Sequence, residues 1–267
     1  MLGASWALYR ALCDRLGHEP EPWDDVAGWP VRSRPLQPLT LVCATDGNHG
    51  RAVARLARWL GFGARIYVPE NTVAARIESI EGEGASVEVV QGTYDDAVAR
   101  SGEEDGEPGV LVISDTAWPG YQEIPRRVVE GYSTIFDEIH EELRRLDEDE
   151  PDVVVVQMGV GAFAASVVQW YLAPARPAVR IVGVEPDRAA RPRLVAGRRP
   201  DRDRGWTGLD HGRPQLRDAL TRGLAAGPRR LGGERGHRRR AGAVAMRLAD
   251  GMESGESGAA GLGGPSS

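Results

Sequence analysis

From residue 39 onward, short apolar runs alternate with amphipathic stretches. The segments 39–43 (LTLVC), 65–68 (RIYV), 86–90 (SVEVV) and 109–114 (GVLVIS) are rich in β-branched residues and predict strands. Between them, apolar positions recur at helical spacing from about Asn48 to Leu60, over 72–83 and over 93–101. Strands alternating with helices imply right-handed crossovers and a parallel sheet. A second run repeats the order: a long helix with the stripe Val128, Tyr132, Ile135, Phe136, Ile139 and Leu143, then strand 152–157 (DVVVVQ), helix 162–172 and strand 179–184 (VRIVGV). Near-continuous Val and Ile mark strands covered on both faces. Ahead of both runs, Leu2, Trp6, Tyr9, Leu12 and Leu16 predict a helix over 3–17, and Pro20, Pro22, Pro30, Pro35 and Pro38 a connector without a long helix. The architecture expected is two parallel-sheet units, with ligand at the carboxyl ends of the strands.

Composition narrows the chemistry. Hydrophobic residues make up 41% and charged residues 27%, ordinary for a soluble globular protein, and no run approaches the roughly 18 apolar residues of a membrane span. The segment from Met1 has no basic start followed by an apolar stretch, so no export signal is expected. Cys13 and Cys43, in apolar contexts, fit a reduced cytoplasmic protein. All 33 basic residues are arginine, so no lysine ammonium is available for a P-loop contact or a Schiff base.

The net charge of −6 is unevenly spread. Residues 191–240 hold 15 Arg against Asp201, Asp203, Asp210, Asp218 and Glu234, a local +10 that leaves −16 elsewhere. With nine Gly, one aromatic (Trp206) and no lasting apolar stripe, that window reads as a basic segment without stable structure. Clustered Arg suits a nucleic-acid arm, yet few rings, Trp206 and His211 among them, are there to stack on bases. The abrupt break at both ends is what a shifted reading frame in a GC-rich gene leaves, and this is the reading preferred over a nucleic-acid arm.

Three loops carry candidate chemistry. Residues 44–50 (ATDGNHG) follow a strand and open a helix; the exposed helix N–H groups and Asn48 offer donors to an anion. Asp46 or Asn48 could simply cap that helix. Thr, Asp, Asn and His within five positions exceed what a cap requires. Gly159, Val160, Gly161, Ala162 and Phe163 likewise join a strand to a helix, the arrangement of a phosphate cradle. Extended to Ala164 they read G-x-G-x-x-A, with Glu185 ending the next strand, so an NAD-dependent oxidoreductase competes; a tight packing turn is the plain alternative. In 114–121 (SDTAWPGY), Asp115 stands at a strand end, as a turn residue or as a general base.

Taken in order, the stretches LGASWALYRAL (2–12), ATDGNHGRAVA (44–54), SDTAWPGY (114–121), GVGAF (159–163), VGVEP (182–186) and GESGAAGLG (255–263) resemble the diaminopropionate ammonia-lyases, within the pyridoxal-phosphate enzymes of fold type II. The resemblance covers about 2–187 and 243–264. It implies an α/β fold of two parallel-sheet three-layer αβα domains, with 1–43 and 121–267 in the larger and 44–120 in the smaller. It implies pyridoxal 5′-phosphate as cofactor, a small amino-acid substrate, a cytoplasmic homodimer acting in amino-acid catabolism, and α,β-elimination of 2,3-diaminopropionate to pyruvate and ammonia. Asn48 matches the residue that bonds the cofactor's 3′ oxygen, and residues 159–163 the loop that holds its phosphate. Asp46 and Asp115 match the two bases, Asp46 for the D and Asp115 for the L enantiomer. A threonine or serine dehydratase shares the glycine loops and differs chiefly at these two acids.

The departures from the family pattern are also specific. The family's Schiff-base lysine stands three residues before the glycine matching Gly3, one position ahead of Met1. The Arg-rich window replaces a small-residue loop that lines the substrate pocket, and Ser267 precedes the residue that bonds the pyridine nitrogen. The sequence is therefore expected to be incomplete at both ends and, as written, inactive.

Overall fold

The computed structural model describes residues 2–20, 27–171, 173, 179–186 and 231–237. Their packing forms two compact units, Met1–Gly131 and Tyr132–Ser267.

In the first unit, β1 (Thr40–Ala44), β2 (Gly63–Pro69), β3 (Ser86–Val90) and β4 (Val110–Val112) form one sheet in the order β3-β2-β1-β4. Every pairing is parallel, with Thr40 opposite both Gly63 and Val110. The central strand β1 is covered on both sides. Leu41 and Cys43 join a core with α1 (Leu2–Leu16), α3 (Asn48–Leu60) and Ile66, while Val42 and Ala44 face Ala97 of α5 (Tyr94–Gly102), Tyr67 and Tyr121. Alternation along one strand thus yields a three-layer αβα arrangement. A short helix α2 (Trp29–Arg32) and a 3-10 turn (Arg34–Leu36) occupy the proline-rich connector.

The helices begin and end for identifiable reasons. In α3, Ala52, Val53, Leu56, Ala57 and Leu60 are buried; Arg51, Arg55 and Arg58 ion-pair on its outer face with the buried Glu83. Gly61, at φ 73°, ends the helix by directing its N–H to the Ala57 and Arg58 carbonyls. At α5, Thr93 and Asp96 form a reciprocal capping box. Helix α4 (Ala74–Glu81) buries Ile80.

Helix α1 buries Gly3, Ala4, Ala7, Leu8, Ala11 and Leu12, a face of small residues that the large-residue stripe did not reveal. Small side chains let α6 (Glu123–Gly131) approach closely: a Cβ on Gly131 would lie 2.6 Å from Trp6 Cβ and 2.8 Å from the Leu2 carbonyl oxygen. Arg127 ties the pair, reaching Asp14 at 2.7 Å and Glu123 at 3.1 Å.

The long helix expected around 128–143 is in fact two. It is interrupted at Tyr132, whose carbonyl accepts from Ile135 N, three residues on, at 3.1 Å, and α7 (Ser133–Arg145) begins the second unit. There β5 (Val153–Gln157), β6 (Arg180–Pro186) and β7 (Leu231–His237) form a parallel sheet in that order. Helix α8 (Ala162–Tyr171) packs on β5 and α7, with Phe136 contacting the rings of Phe163, Trp170 and Tyr171. Strand β7 lies inside the window expected to lack structure: its backbone pairs with β6, and backbone pairing does not require an apolar stripe. Residues 191–230 and 238–267, including the 255–263 motif, lie outside the described residues.

Candidate active site

Because β1 and β4 are parallel neighbours, the loops leaving their carboxyl ends lie side by side. The first, 45–48, is shaped by the threonine that the sequence offers only as one of four polar residues in the loop. Thr45, 2% exposed, accepts hydrogen bonds at Oγ1 from Gly47 N at 3.0 Å and Gly50 N at 3.1 Å. One hydroxyl therefore serves two donors around the start of α3, and neither Asp46 nor Asn48 acts as the cap. Gly50 has to lack a side chain, since a Cβ there would stand 2.2 Å from Thr45 Cγ2. Asp46 and Asn48 are exposed, and Arg76 Nη1 of α4 holds the loop by donating to the Asp46 carbonyl at 2.8 Å.

The second loop, 113–121, is locked by Tyr121. Its hydroxyl donates to the Val112 carbonyl at 2.7 Å and accepts from Ser114 N at 3.0 Å, while its ring stacks on Trp118 at 4.0 Å. These bonds use the strand's polar groups locally, which accounts for β4 ending at Val112 rather than at the expected 114. Burial, above all, raises the Tyr121 phenol far above its ordinary value, so the hydroxyl remains a donor.

Asp115 sits at this loop's start, 9% exposed. Its Oδ1 lies 3.3 Å from the Tyr94 hydroxyl and 3.4 Å from that of Thr116, and its Oδ2 lies 4.0 Å from His49 Nδ1. Enclosure of the Tyr94 hydroxyl, and then the neighbouring carboxylate, push this phenol well above its ordinary value. Burial, and again Asp115, do the same to the Cys43 thiol beneath. Both groups are neutral at neutral pH, leaving Asp115 as an acceptor served by hydroxyls. Tyr94 and Thr116 gave no sequence signal as site residues, because their link to Asp115 is made by the fold: Tyr94 arrives on α5, 21 residues away.

The structure therefore brings Asp46, Asn48 and Asp115 into one unit, on neighbouring loops. Gly159, Val160, Gly161, Ala162 and Phe163 belong to the other. There, Gly161 takes φ 97°, a conformation that favours glycine, and its carbonyl accepts from Ala165 N at 2.8 Å. The N–H groups of Ala162, Phe163 and Ala164 precede that first helical bond and have no carbonyl of their own helix to meet. Three such donors at a helix start suit a phosphate dianion. The carbonyl end of pyridoxal phosphate needs a lysine, and these 267 residues contain none.

Among the described residues there is no cluster of His, Cys, Asp or Glu able to hold a metal ion, and no helix long and apolar enough to cross a membrane.

Comparison with known proteins places the chain in a family. The chain is 35% identical over 190 residues to diaminopropionate ammonia-lyase of Salmonella typhimurium, covering 70% of this chain and 47% of that one. It is 35% identical over 153 residues to a biosynthetic L-threonine dehydratase of Mycobacterium leprae, covering 56% of this chain and 33% of the other. The crystal structure of Escherichia coli diaminopropionate ammonia-lyase in complex with D-serine superposes with a TM-score of 0.76 at 28% identity, over 98% of this chain and 67% of that one. The chain thus spans about half the length of the curated relatives it matches. The model of the family described as pyridoxal-phosphate dependent enzyme matches residues 26–261, most of the sequence, and the protein belongs to that family.

Proposed function

We propose that this chain is part of a pyridoxal-phosphate-dependent lyase that eliminates ammonia from 2,3-diaminopropionate of either hand, leaving pyruvate. The observation that carries the reading is the pair of carboxylates, Asp46 and Asp115, on adjacent loops at the ends of β1 and β4, with Asn48 beside them. Bound pyridoxal phosphate supplies an electron sink that acidifies the α carbon of an amino acid attached to it. The chain's own residues do the rest. The N–H groups of Ala162, Phe163 and Ala164 would hold its phosphate, and Asn48 would bond its ring oxygen. Asp115, with Oδ1 fixed by two hydroxyls, accepts the α proton of the L substrate, and Asp46 that of the D substrate. Homodimeric assembly, a cytoplasmic setting and a place in amino-acid catabolism belong to the same proposal and rest on resemblance.

A related dehydratase is the second reading, supported by the M. leprae match. It requires no acid at position 46 or 115, so the two readings part at those residues.

The test compares the 267-residue chain with one extended by the residues that the resemblance places before Gly3, both supplied with pyridoxal phosphate. Pyruvate is followed with each enantiomer of 2,3-diaminopropionate and with L-threonine. The extended chain should turn over both enantiomers, and the lysine-free chain neither. Asp46→Asn should abolish activity on the D form and Asp115→Asn on the L form. Preference for threonine, or indifference to both substitutions, would refute the proposal.

A further inference from the structure

We propose that His49 is the proton partner of Asp115, a positioning residue whose Nδ1 takes up and returns the proton that the carboxylate collects. This rests on the reading of Asp115 as a base, and it extends that reading to a residue with no assigned role.

The argument starts from the far side of the ring. His49 Nε2 lies 2.7 Å from the Ile113 carbonyl oxygen, which can only accept. Nε2 therefore carries a hydrogen in every protonation state that keeps this bond, and in neutral His49 the lone pair falls on Nδ1. That nitrogen faces Asp115 Oδ2 at 4.0 Å, with the two side chains 9% and 13% exposed. A lone pair facing a carboxylate oxygen in so enclosed a place is unfavourable unless a proton sits between them. Closing about 1 Å makes the hydrogen bond, the kind of tightening expected when a ligand fills such a site.

The proton then has two seats. When Asp115 removes a proton from a substrate carbon, it becomes a carboxylic acid. Transfer of that proton to Nδ1 gives imidazolium and restores the carboxylate; the reverse transfer returns it for delivery to the departing group. No electrons change hands, and Nε2–H stays on Ile113 throughout, so His49 stores one proton at one atom. The backbone makes this specific. Ile113 N donates to Val42 O at 2.7 Å, tying the residue whose carbonyl selects the tautomer to central strand β1.

Among the described residues, other groups lie around the pair. Cys43 from β1 and Tyr94 from α5 are held neutral by burial and by Asp115. Asp46 lies on the loop before α3, with Arg76 of α4 donating to its carbonyl. Arg51, two residues along α3, is engaged by Glu83. Asp115 is thus the carboxylate placed to govern Nδ1.

The experiment is nitrogen-15 NMR of the histidine rings in the 267-residue chain, titrated from acid to alkaline pH. His49 should adopt the Nε2–H tautomer when neutral. In Asp115→Asn the Nδ1 resonance should move as the carboxylate facing it is lost, whereas Asp46→Asn should move it less. Far-UV circular dichroism checks that both variants are folded. A neutral Nδ1–H tautomer in the unsubstituted chain, which needs no variant, would overturn the proposal, as would an Nδ1 resonance unmoved by Asp115→Asn. The enzymatic reading is decided separately by pyruvate release, so either can fail alone.

Discussion

Gly50→Ala probes the hydroxyl fork that shapes the first site loop. The added methyl would stand 2.2 Å from Thr45 Cγ2 and 2.9 Å from both Thr45 Cβ and Ile66 Cγ2, far inside ordinary contact. Thr45 cannot turn away cheaply, because Oγ1 accepts from Gly47 N and Gly50 N. Overpacking costs about 1–3 kcal/mol, and a donor left without its acceptor about 1–3 kcal/mol more. Better helix propensity returns only about 1 kcal/mol. The net loss should be about 1–5 kcal/mol, which lowers a urea midpoint by about 0.5–2.5 M at a slope of about 2 kcal/mol/M. Thr45→Ser removes Cγ2, the nearest atom, while keeping the acceptor. The cost of Gly50→Ala should therefore fall by at least about 1 kcal/mol in a Thr45→Ser background, a coupling that a double-mutant cycle reads directly. Equal costs in both backgrounds would show that Thr45 is not the obstacle.

Three further substitutions test separate supports. Tyr121→Phe should cost about 2–4 kcal/mol in urea denaturation, since it strips partners from the Ser114 N–H and the Val112 carbonyl, both in buried residues. Gly131→Ala, facing Trp6 and the Leu2 backbone, should separate α1 from α6 and speed proteolysis within α1. The fourth prediction concerns acid stability. Burial works against the charge on Glu104, but the Tyr67 hydroxyl and the Arg65 guanidinium, 2.5 Å away, outweigh it and hold its carboxyl below the ordinary 4.5. A depressed folded value contributes stability above pH 4.5 that disappears as pH falls through it, so Glu104→Gln should flatten the acid limb of a melting-temperature profile.

Much of the fold could be read from the sequence because it depends on local pattern. The bounds that the pattern predicts for α3, about Asn48 to Leu60, and for β3, 86–90, match the structure because Gly and polar residues flank their apolar positions. What escaped was decided by partners distant in sequence. Gly131 and Tyr132 sit within an unbroken helical stripe, yet α6 packs on α1 while α7 starts another unit. Loops 45–48 and 113–121 were recognisable as chemically rich, but nothing local announces that Tyr94 reaches Asp115, or that Ile113 selects a tautomer for His49. Those relations exist only once β1 and β4 pair.

That pairing also bears on how stereochemical scope evolves. Asp46 and Asp115 lie on the loops that leave two neighbouring parallel strands, whose separation, about 4.8 Å in any sheet, fixes where both loops begin. A lineage could lose or regain either acid by one codon change without disturbing the frame that aims the other. On the proposed reading, tolerance of mirror-image substrates would then be a property that drifts residue by residue on a constant scaffold.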